Sequence, residues 1–141
     1  MPKPLPPDSE IFHPFAQLIG LSVSGQDAGR SRCVLSVDPK LLNPHRVLHG
    51  GVIFSMADTG MGAALYPCLE DDELCATVDI KIAYFGAVTS GLLTCDSRLL
   101  HKTRRLAFLD SEVTNDGRPV AKAMGTFSIF KASSAGLARA S

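Results

Sequence analysis

The chain has 141 residues, 45% of them hydrophobic, and its 14 lysines and arginines balance its 14 aspartates and glutamates. This length suits a single domain with one core. The charge balance gives no electrostatic basis for binding nucleic acid. No apolar run reaches the roughly 18 residues that a membrane-spanning helix needs.

The two ends of the sequence differ in composition from the middle. The first ten residues, MPKPLPPDSE, lack the apolar core of a secretion signal, so we expect a cytoplasmic protein. The proline-rich start and the polar end predict a loose tail over 1–8 and a flexible tail over 132–141. One domain is expected over 9–131.

The four cysteines are scattered and show no pairing pattern. They form neither a CxxC pair nor a cysteine–histidine spacing typical of zinc, so we predict reduced thiols and no metal site. Their positions are Cys33, Cys68, Cys75 and Cys95.

The first elements are predicted from capping and alternation. Ser9 is a candidate cap for a short helix over Glu10 to Leu18. Two apolar segments, Leu21 to Val23 and Ser31 to Val37, are predicted as two halves of a first strand or as a hairpin.

A longer helix is predicted after Pro44 and ends before Pro67. One of its faces is continuously apolar or small, with the spacing of an α-helix. That face contains Ile53, Met56, Ala57, Gly60, Met61 and Ala64. A second, partly polar stripe contains Ser55, Asp58, Thr59 and Gly62.

Two features of this helix suit catalysis. Its first free amides, near Gly50 and Gly51, can hold an oxyanion, and glycine allows a ligand to approach the backbone closely. Asp58 is the one carboxylate between His49 and Glu70, and it could act as a base or as a nucleophile. The alternative is a helix start with loose glycines and an aspartate that faces water.

The remainder alternates as antiparallel strands do. Strands are predicted over Ala76 to Tyr84, Leu92 to Leu100, Leu106 to Val113 and Val120 to Phe130. In the first of these, one face is expected to carry Ala76, Val78, Ile80, Ile82 and Tyr84, and the opposite face Thr77, Asp79 and Lys81. Asp116-Gly117 predicts a tight hairpin turn, and Gly125 a bulge or a close approach.

The spacing of Asn43, His49-Gly50-Gly51 and Asp58 resembles that of the hot-dog-fold acyl-CoA thioesterases. The nearest subgroup is the PaaI-like and 4-hydroxybenzoyl-CoA thioesterases, and the similarity extends from His13 to about Lys131. The resemblance implies an α+β fold in which a curved antiparallel sheet of about five to six strands wraps round the long helix.

Distance along the helix predicts a site shared by two chains. Gly50 and Asp58 are eight residues apart, which is about 12 Å along a helix axis. A base and an oxyanion donor must both lie about 3 Å from the reacting group. A two-fold dimer can bring the start of one helix beside the middle of the other. The resemblance implies the same arrangement, with dimers that pair further into tetramers.

The resemblance also assigns roles to residues. The Gly50 amide would polarise the thioester carbonyl, and Asp58 of the other chain would activate water or attack directly. Asn43 would lie near the carbonyl and the water. Thr77 stands where some relatives carry a serine that orients the nucleophile. His49 would either hold the loop or contact the substrate.

Substrate contacts are expected in three places, and no cofactor is expected because coenzyme A is part of the substrate. Gly51 would allow close approach of the substrate. Tyr84 and Phe85 could line an apolar acyl pocket or belong to the core. The basic turn, defined as Lys102, Arg104 and Arg105, could grip the nucleotide phosphates of coenzyme A, or it could be a solvated hairpin tip.

Two other functions fit part of this pattern. Hot-dog dehydratases pair a histidine with a carboxylate on the long helix, and His49 with Asp58 offers both side chains. A non-catalytic acyl-CoA-binding protein would use the same pocket without releasing free thiol.

Overall fold

The computed structural model describes Lys3 and residues 13–132. The predicted cap Ser9 lies outside these residues. Helix α1 spans Pro14–Ile19, and its cap is His13, whose Nδ1 accepts a hydrogen bond from the N–H of Ala16 at 3.2 Å. The Ser9 cap therefore stays a prediction, whereas the cap of the helix that begins at Pro14 is His13.

The first two strands form a hairpin, which decides between the two predicted alternatives. Strand β1 spans Leu21–Asp27 and β2 spans Arg30–Ser36, and they pair antiparallel. Gly29 has φ 81° at the turn, a conformation that glycine adopts readily. Cys33 and Leu35 on β2 are fully buried.

Helix α2 spans Gly50–Leu65 and ends before Pro67. The predicted apolar face is confirmed, because every member of it is buried: Ile53, Met56, Ala57, Gly60, Met61 and Ala64. Short 3₁₀ turns precede and follow the helix at Pro39–Leu41 and Tyr66–Cys68.

Four further strands complete a six-stranded antiparallel sheet. They are β3 Glu73–Tyr84, β4 Leu92–Lys102, β5 Leu106–Asn115 and β6 Arg118–Lys131. The spatial order is β1-β2-β4-β5-β6-β3, so β1 and β3 are the two edges. Helix α2 contacts all six strands. The sheet therefore curves round the helix, as the hot-dog resemblance implies, and each edge lies beside it.

Strand β3 contains a bulge that the alternation pattern did not predict. Thr77 pairs with Phe127 and Asp79 with Thr126, so Val78 is an extra residue. The predicted separation of faces is wrong here, because Thr77 lies on the helix side together with Ile80. Val78 is 58% exposed instead of sharing the buried face.

The predicted turn and close approach between the last strands are confirmed. Asp116 and Gly117 both have positive φ, 49° and 85°, as a two-residue hairpin turn requires. A Cβ on Gly125 would lie 2.6 Å from the Sδ of Met61. Gly125 thus lets β6 pack closely against α2.

Buried polar groups of the sheet bond to the backbone of α2. Ser31 Oγ donates to the carbonyl of Gly60 at 2.6 Å, and Ser111 Oγ donates to the carbonyl of Ala57 at 3.4 Å. Burial raises the pKa of the Cys95 thiol to about 11, so it stays protonated beside the same helix. These contacts prevent α2 from rotating about its axis, and they thereby fix the direction in which its partly polar stripe faces.

No helix in the described part of the chain is long and apolar enough to cross a membrane.

Candidate active site

Asp58 lies in a cavity of about 930 Å³ between α1, α2, β1 and β3. The polar stripe of α2 forms one wall, because this side of the helix faces the gap between the two edge strands. All four stripe residues line the cavity: Ser55, Asp58, Thr59 and Gly62. The stripe is thus partly polar because it faces this cavity and not the core.

A hydroxyl group from β3 orients the carboxylate. Thr77 Oγ1 donates a hydrogen bond to Asp58 Oδ1 at 2.7 Å. Hydrogen bonds to an ionised oxygen are stronger than those between neutral groups. One carboxylate oxygen is therefore held by Thr77, and the other can face the cavity.

Cys75, two residues before Thr77, also lines this cavity. Burial raises the pKa of the Cys75 thiol to about 11, and the negative charge of Asp58 contributes to the same shift to a smaller extent. The group is thus a neutral thiol at physiological pH, which makes it a poor nucleophile.

The start of α2 leaves one amide free. His49 caps the helix, and its Nδ1 accepts a hydrogen bond from the N–H of Gly51 at 2.8 Å. The expectation that both glycine amides are free is therefore corrected for Gly51. The N–H of Gly50 makes no hydrogen bond with the described residues, so it is the amide available to an oxyanion.

Asn43 organises the loop before α2. Its Oδ1 accepts hydrogen bonds from the N–H groups of His45 at 2.9 Å and Val47 at 3.3 Å. The backbone of Asn43 also pairs with that of Val47. The side-chain oxygen is committed to the loop, and the side-chain NH₂ is the part of Asn43 that remains for a ligand.

The two aromatic residues at the end of β3 lie outside the Asp58 cavity. Tyr84 is 47% exposed, and its hydroxyl donates to the carbonyl of Gly50 at 2.7 Å. Burial raises the pKa of this hydroxyl above its usual value, which keeps it protonated. Phe85 is 60% exposed. Neither residue lines the cavity, so their expected role in an acyl pocket stays a prediction.

The basic turn joins β4 to β5 and is exposed. Within the described residues Lys102, Arg104 and Arg105 make no ion pair, so their charges are free to meet an anion. They do not line the Asp58 cavity of their own chain. Their proposed contact with nucleotide phosphates stays a prediction.

Within one chain the predicted site residues fall into two groups. Asp58 and Thr77 meet in the cavity, whereas Asn43, His49 and Gly50 gather at the start of α2 and do not line it. The first group contains the carboxylate of the predicted reaction, and the second contains its oxyanion donor.

Sequence reasoning missed most of the cavity wall. Four aromatic side chains from different elements line it: Phe15, Phe54, Tyr66 and Phe127. Gln26 of β1 also lines it and donates to the carbonyl of Ala63 at 2.9 Å. No local pattern marks these residues, since they come together only when the sheet curves round the helix.

The chemically active groups at hand are the Asp58 carboxylate, the Thr77 hydroxyl and the Gly50 amide. A carboxylate that faces a cavity can activate water, and a free helix amide can stabilise an oxyanion. Among the described residues, no group of histidine, cysteine, aspartate or glutamate side chains could hold a metal ion.

This fold and these side chains define a hydrolase of the hot-dog class that acts on thioesters. The sequence profile of the thioesterase superfamily matches residues 45–122, more than half of the chain. The chain belongs to this superfamily.

Named relatives agree with the family. The chain is 29% identical over 104 residues to the acyl-coenzyme A thioesterase PaaI of Escherichia coli, covering 71% of this chain and 70% of that protein. It is 22% identical over 100 residues to a 1,4-dihydroxy-2-naphthoyl-CoA hydrolase of Listeria monocytogenes, covering 71% and 81%. A conserved protein of Pseudomonas aeruginosa of known structure superimposes with a TM-score of 0.84 at 32% identity, covering 89% of this chain and all of that one.

Proposed function

We propose that the protein hydrolyses an acyl-CoA to a free acid and coenzyme A, at a site that two chains share. The observation that carries the proposal is the separation of Asp58 from Gly50 along one helix. The free Gly50 amide and the Asp58 carboxylate lie in different surroundings of the same chain. A second copy related by a two-fold axis would bring its Gly50 beside Asp58.

The open edge of β3 supports association with a second copy. Among the described strands β3 pairs only with β6, so its other edge has unpaired backbone groups. An unpaired edge is a template for another strand. The edge also carries Val78, Tyr84 and Phe85 as exposed apolar side chains. A second β3 on this edge would continue the sheet, and a dimer of dimers is our expectation for the full assembly.

The reaction follows from the geometry of the two half-sites. Asp58 accepts a proton from water, and the water oxygen forms a bond to the thioester carbon while Thr77 holds the carboxylate. The carbonyl oxygen takes the electron pair and is stabilised by the Gly50 N–H of the second chain. Collapse of this intermediate breaks the C–S bond, and the thiolate leaves and takes up a proton. Direct attack by Asp58, followed by hydrolysis of the anhydride, uses the same groups.

Coenzyme A as the leaving group is supported by the names of the relatives and by the basic turn. PaaI and the dihydroxynaphthoyl-CoA hydrolase are both named for CoA thioesters. The exposed charges of Lys102, Arg104 and Arg105 suit the phosphates of the nucleotide. The aromatic cavity wall suits an apolar acyl group, and no cofactor is required.

The hydratase alternative has less support from the geometry, and the non-catalytic alternative has less support from the relatives, which are named as enzymes. In a histidine–carboxylate pair the histidine would exchange a proton with the substrate, but His49 Nδ1 accepts a hydrogen bond from the Gly51 amide, so that nitrogen is committed to capping α2. His13 does line the cavity, but its Nδ1 caps α1.

The test is a thiol-release screen with aromatic, short-chain and medium-chain acyl-CoA substrates. We expect wild-type protein to release thiol and Asp58→Asn to lower kcat by at least about 10²-fold, the range for a positioned acid–base group. Thr126→Val on β6, outside the Asp58 cavity, is the control for a substitution away from the site. The same acyl groups on pantetheine, which lacks the nucleotide, should show a higher KM. Near-normal turnover by folded Asp58→Asn protein would refute the assignment.

A further inference from the structure

The first peptide group of α2 is held from two sides. This peptide joins Gly50 to Gly51. Its carbonyl oxygen accepts the hydroxyl of Tyr84 at 2.7 Å, and its N–H donates to Nδ1 of His49 at 2.8 Å. Both polar atoms of one peptide are thus bonded to side chains, one from β3 and one from the preceding loop.

The same two side chains pack against the glycine carbons. A Cβ on Gly50 would lie 3.2 Å from the Cζ of Tyr84, and a Cβ on Gly51 would lie 2.9 Å from the Nδ1 of His49. Neither glycine has positive φ. Glycine is therefore needed at these positions for space and not for an unusual backbone conformation.

We infer that Tyr84 is a positioning residue, which fixes the direction of the Gly50 amide by holding the peptide that follows it. The inference rests on the proposed function, in which that amide binds the oxyanion. An oxyanion donor is effective because it is already aimed at the place where charge develops. The hydroxyl group and ring of Tyr84 hold the first turn of α2, whose first N–H groups have no partner within the helix.

Strand β3 thereby contacts both parts of the catalytic machinery. Thr77 bonds to Asp58 and Tyr84 bonds to Gly50, and both side chains come from one strand. One rigid element thus sets the position of the carboxylate and of the amide donor on α2. This gives Tyr84 a role separate from the acyl pocket that the sequence suggested.

The kinetic test is Tyr84→Phe, which keeps the ring against Gly50 and removes only the hydroxyl. We expect kcat to fall about tenfold with KM unchanged, less than the roughly 10²- to 10³-fold effect of losing an oxyanion donor. The control is Ser128→Ala, which removes a hydroxyl of β6 that donates to the carbonyl of Ala76 on β3 at 3.5 Å. A folded Tyr84→Phe protein with the wild-type kcat would overturn the inference.

A second readout does not depend on activity. In ¹⁵N-labelled protein we expect hydrogen exchange of the Gly51 amide to be faster in Tyr84→Phe than in wild type, and unchanged in Ser128→Ala. If wild-type protein hydrolyses no thioester, the proposed function fails, and the exchange rates still decide the role of Tyr84. Faster exchange would then support the positioning contact, and unchanged exchange would overturn it.

Discussion

The carboxylate of Asp58 depends on one neighbour for its orientation. Thr77 donates to it at 2.7 Å, and no lysine or arginine of the described chain lines the cavity around it. The carboxylate is thus held by a neutral donor and keeps its negative charge unpaired. This arrangement suits a base or a nucleophile, because a salt bridge would lower the basicity of the carboxylate.

Replacement of Thr77 by valine tests this contact. Thr77→Val keeps the shape of the side chain and removes the donor. Because a hydrogen bond to a charged group contributes about 1.5–3 kcal/mol, we expect kcat to fall by roughly 10- to 10²-fold while the protein stays folded. The measurement is steady-state thiol release. Unchanged kcat would show that Asp58 is oriented without Thr77.

At the start of α2, the sequence predicts which residues belong to the site better than it predicts the contacts that they make. The spacing of Asn43, His49, Gly50 and Asp58 is visible in the sequence, and the resemblance points to Thr77 as a partner of the nucleophile. The commitment of the Gly51 amide to His49 could not be predicted, because it depends on one side-chain rotamer. The contact of Tyr84 with Gly50 could not be predicted either, since 34 residues separate them.

At the scale of elements, α2 has two different faces. Its buried face packs against the sheet and accepts hydrogen bonds from Ser31 and Ser111. Its other face lines the cavity. The helical period predicted both faces from the sequence, because each lies within one continuous segment.

Two glycines on α2 give a matched test of close packing. A Cβ on Gly60 would lie 2.5 Å from the Oγ of Ser97, whereas a Cβ on Gly62 would meet only Phe127, at 3.9 Å. Ser97 cannot move away without losing its buried 2.6 Å hydrogen bond with Ser111. Overpacking costs about 1–3 kcal/mol, and alanine gains about 1 kcal/mol over glycine in a helix. We expect Gly60→Ala to lower the Tm and Gly62→Ala to raise or preserve it.

Thermal unfolding followed by circular dichroism measures both variants. If Gly60→Ala were as stable as Gly62→Ala, α2 would not be packed against Ser97 as described.

The bulge in β3 shows why alternation alone failed. Val78, Ile80 and Ile82 alternate with Asp79 and Lys81 without interruption. Nothing in that pattern marks an extra residue. The bulge forms because β3 must satisfy both its pairing with β6 and its contacts with α2, and these are tertiary constraints.

At the scale of the whole molecule, the proposed function needs a second chain to bring the two groups of site residues together. The separation of Gly50 from Asp58 could be calculated from the sequence, since it depends only on helix rise. The cavity could not, because its walls come from α1, β1, β3 and β6 as well as α2. Long-range assembly of that kind leaves no local signal in the sequence.

Mixed oligomers test whether the chains share a site. We expect Asp58→Asn and Asn43→Ala to be nearly inactive alone, the second because its loop loses the bonds to His45 and Val47. Random pairing makes about half of the dimers mixed, and each mixed dimer keeps one intact site of two. Subunit exchange should therefore restore roughly a quarter of wild-type activity.

Mass spectrometry of differently labelled chains confirms that exchange has occurred. If mixed dimers form and no activity returns, Asn43 and Asp58 act within one chain, and the shared site is wrong.

Because Val78 is an additional residue, the alternation of side chains along β3 changes phase at this position. Before Val78, the odd-numbered residues Cys75 and Thr77 point to the helix. After it, the even-numbered residues Ile80 and Tyr84 do so. Deletion of the single codon for Val78 would leave every site residue in the sequence and barely change its composition. It would nevertheless turn either Thr77 or Tyr84 away from α2. The length of this strand is thus as much a part of the proposed catalytic apparatus as the side chains it carries.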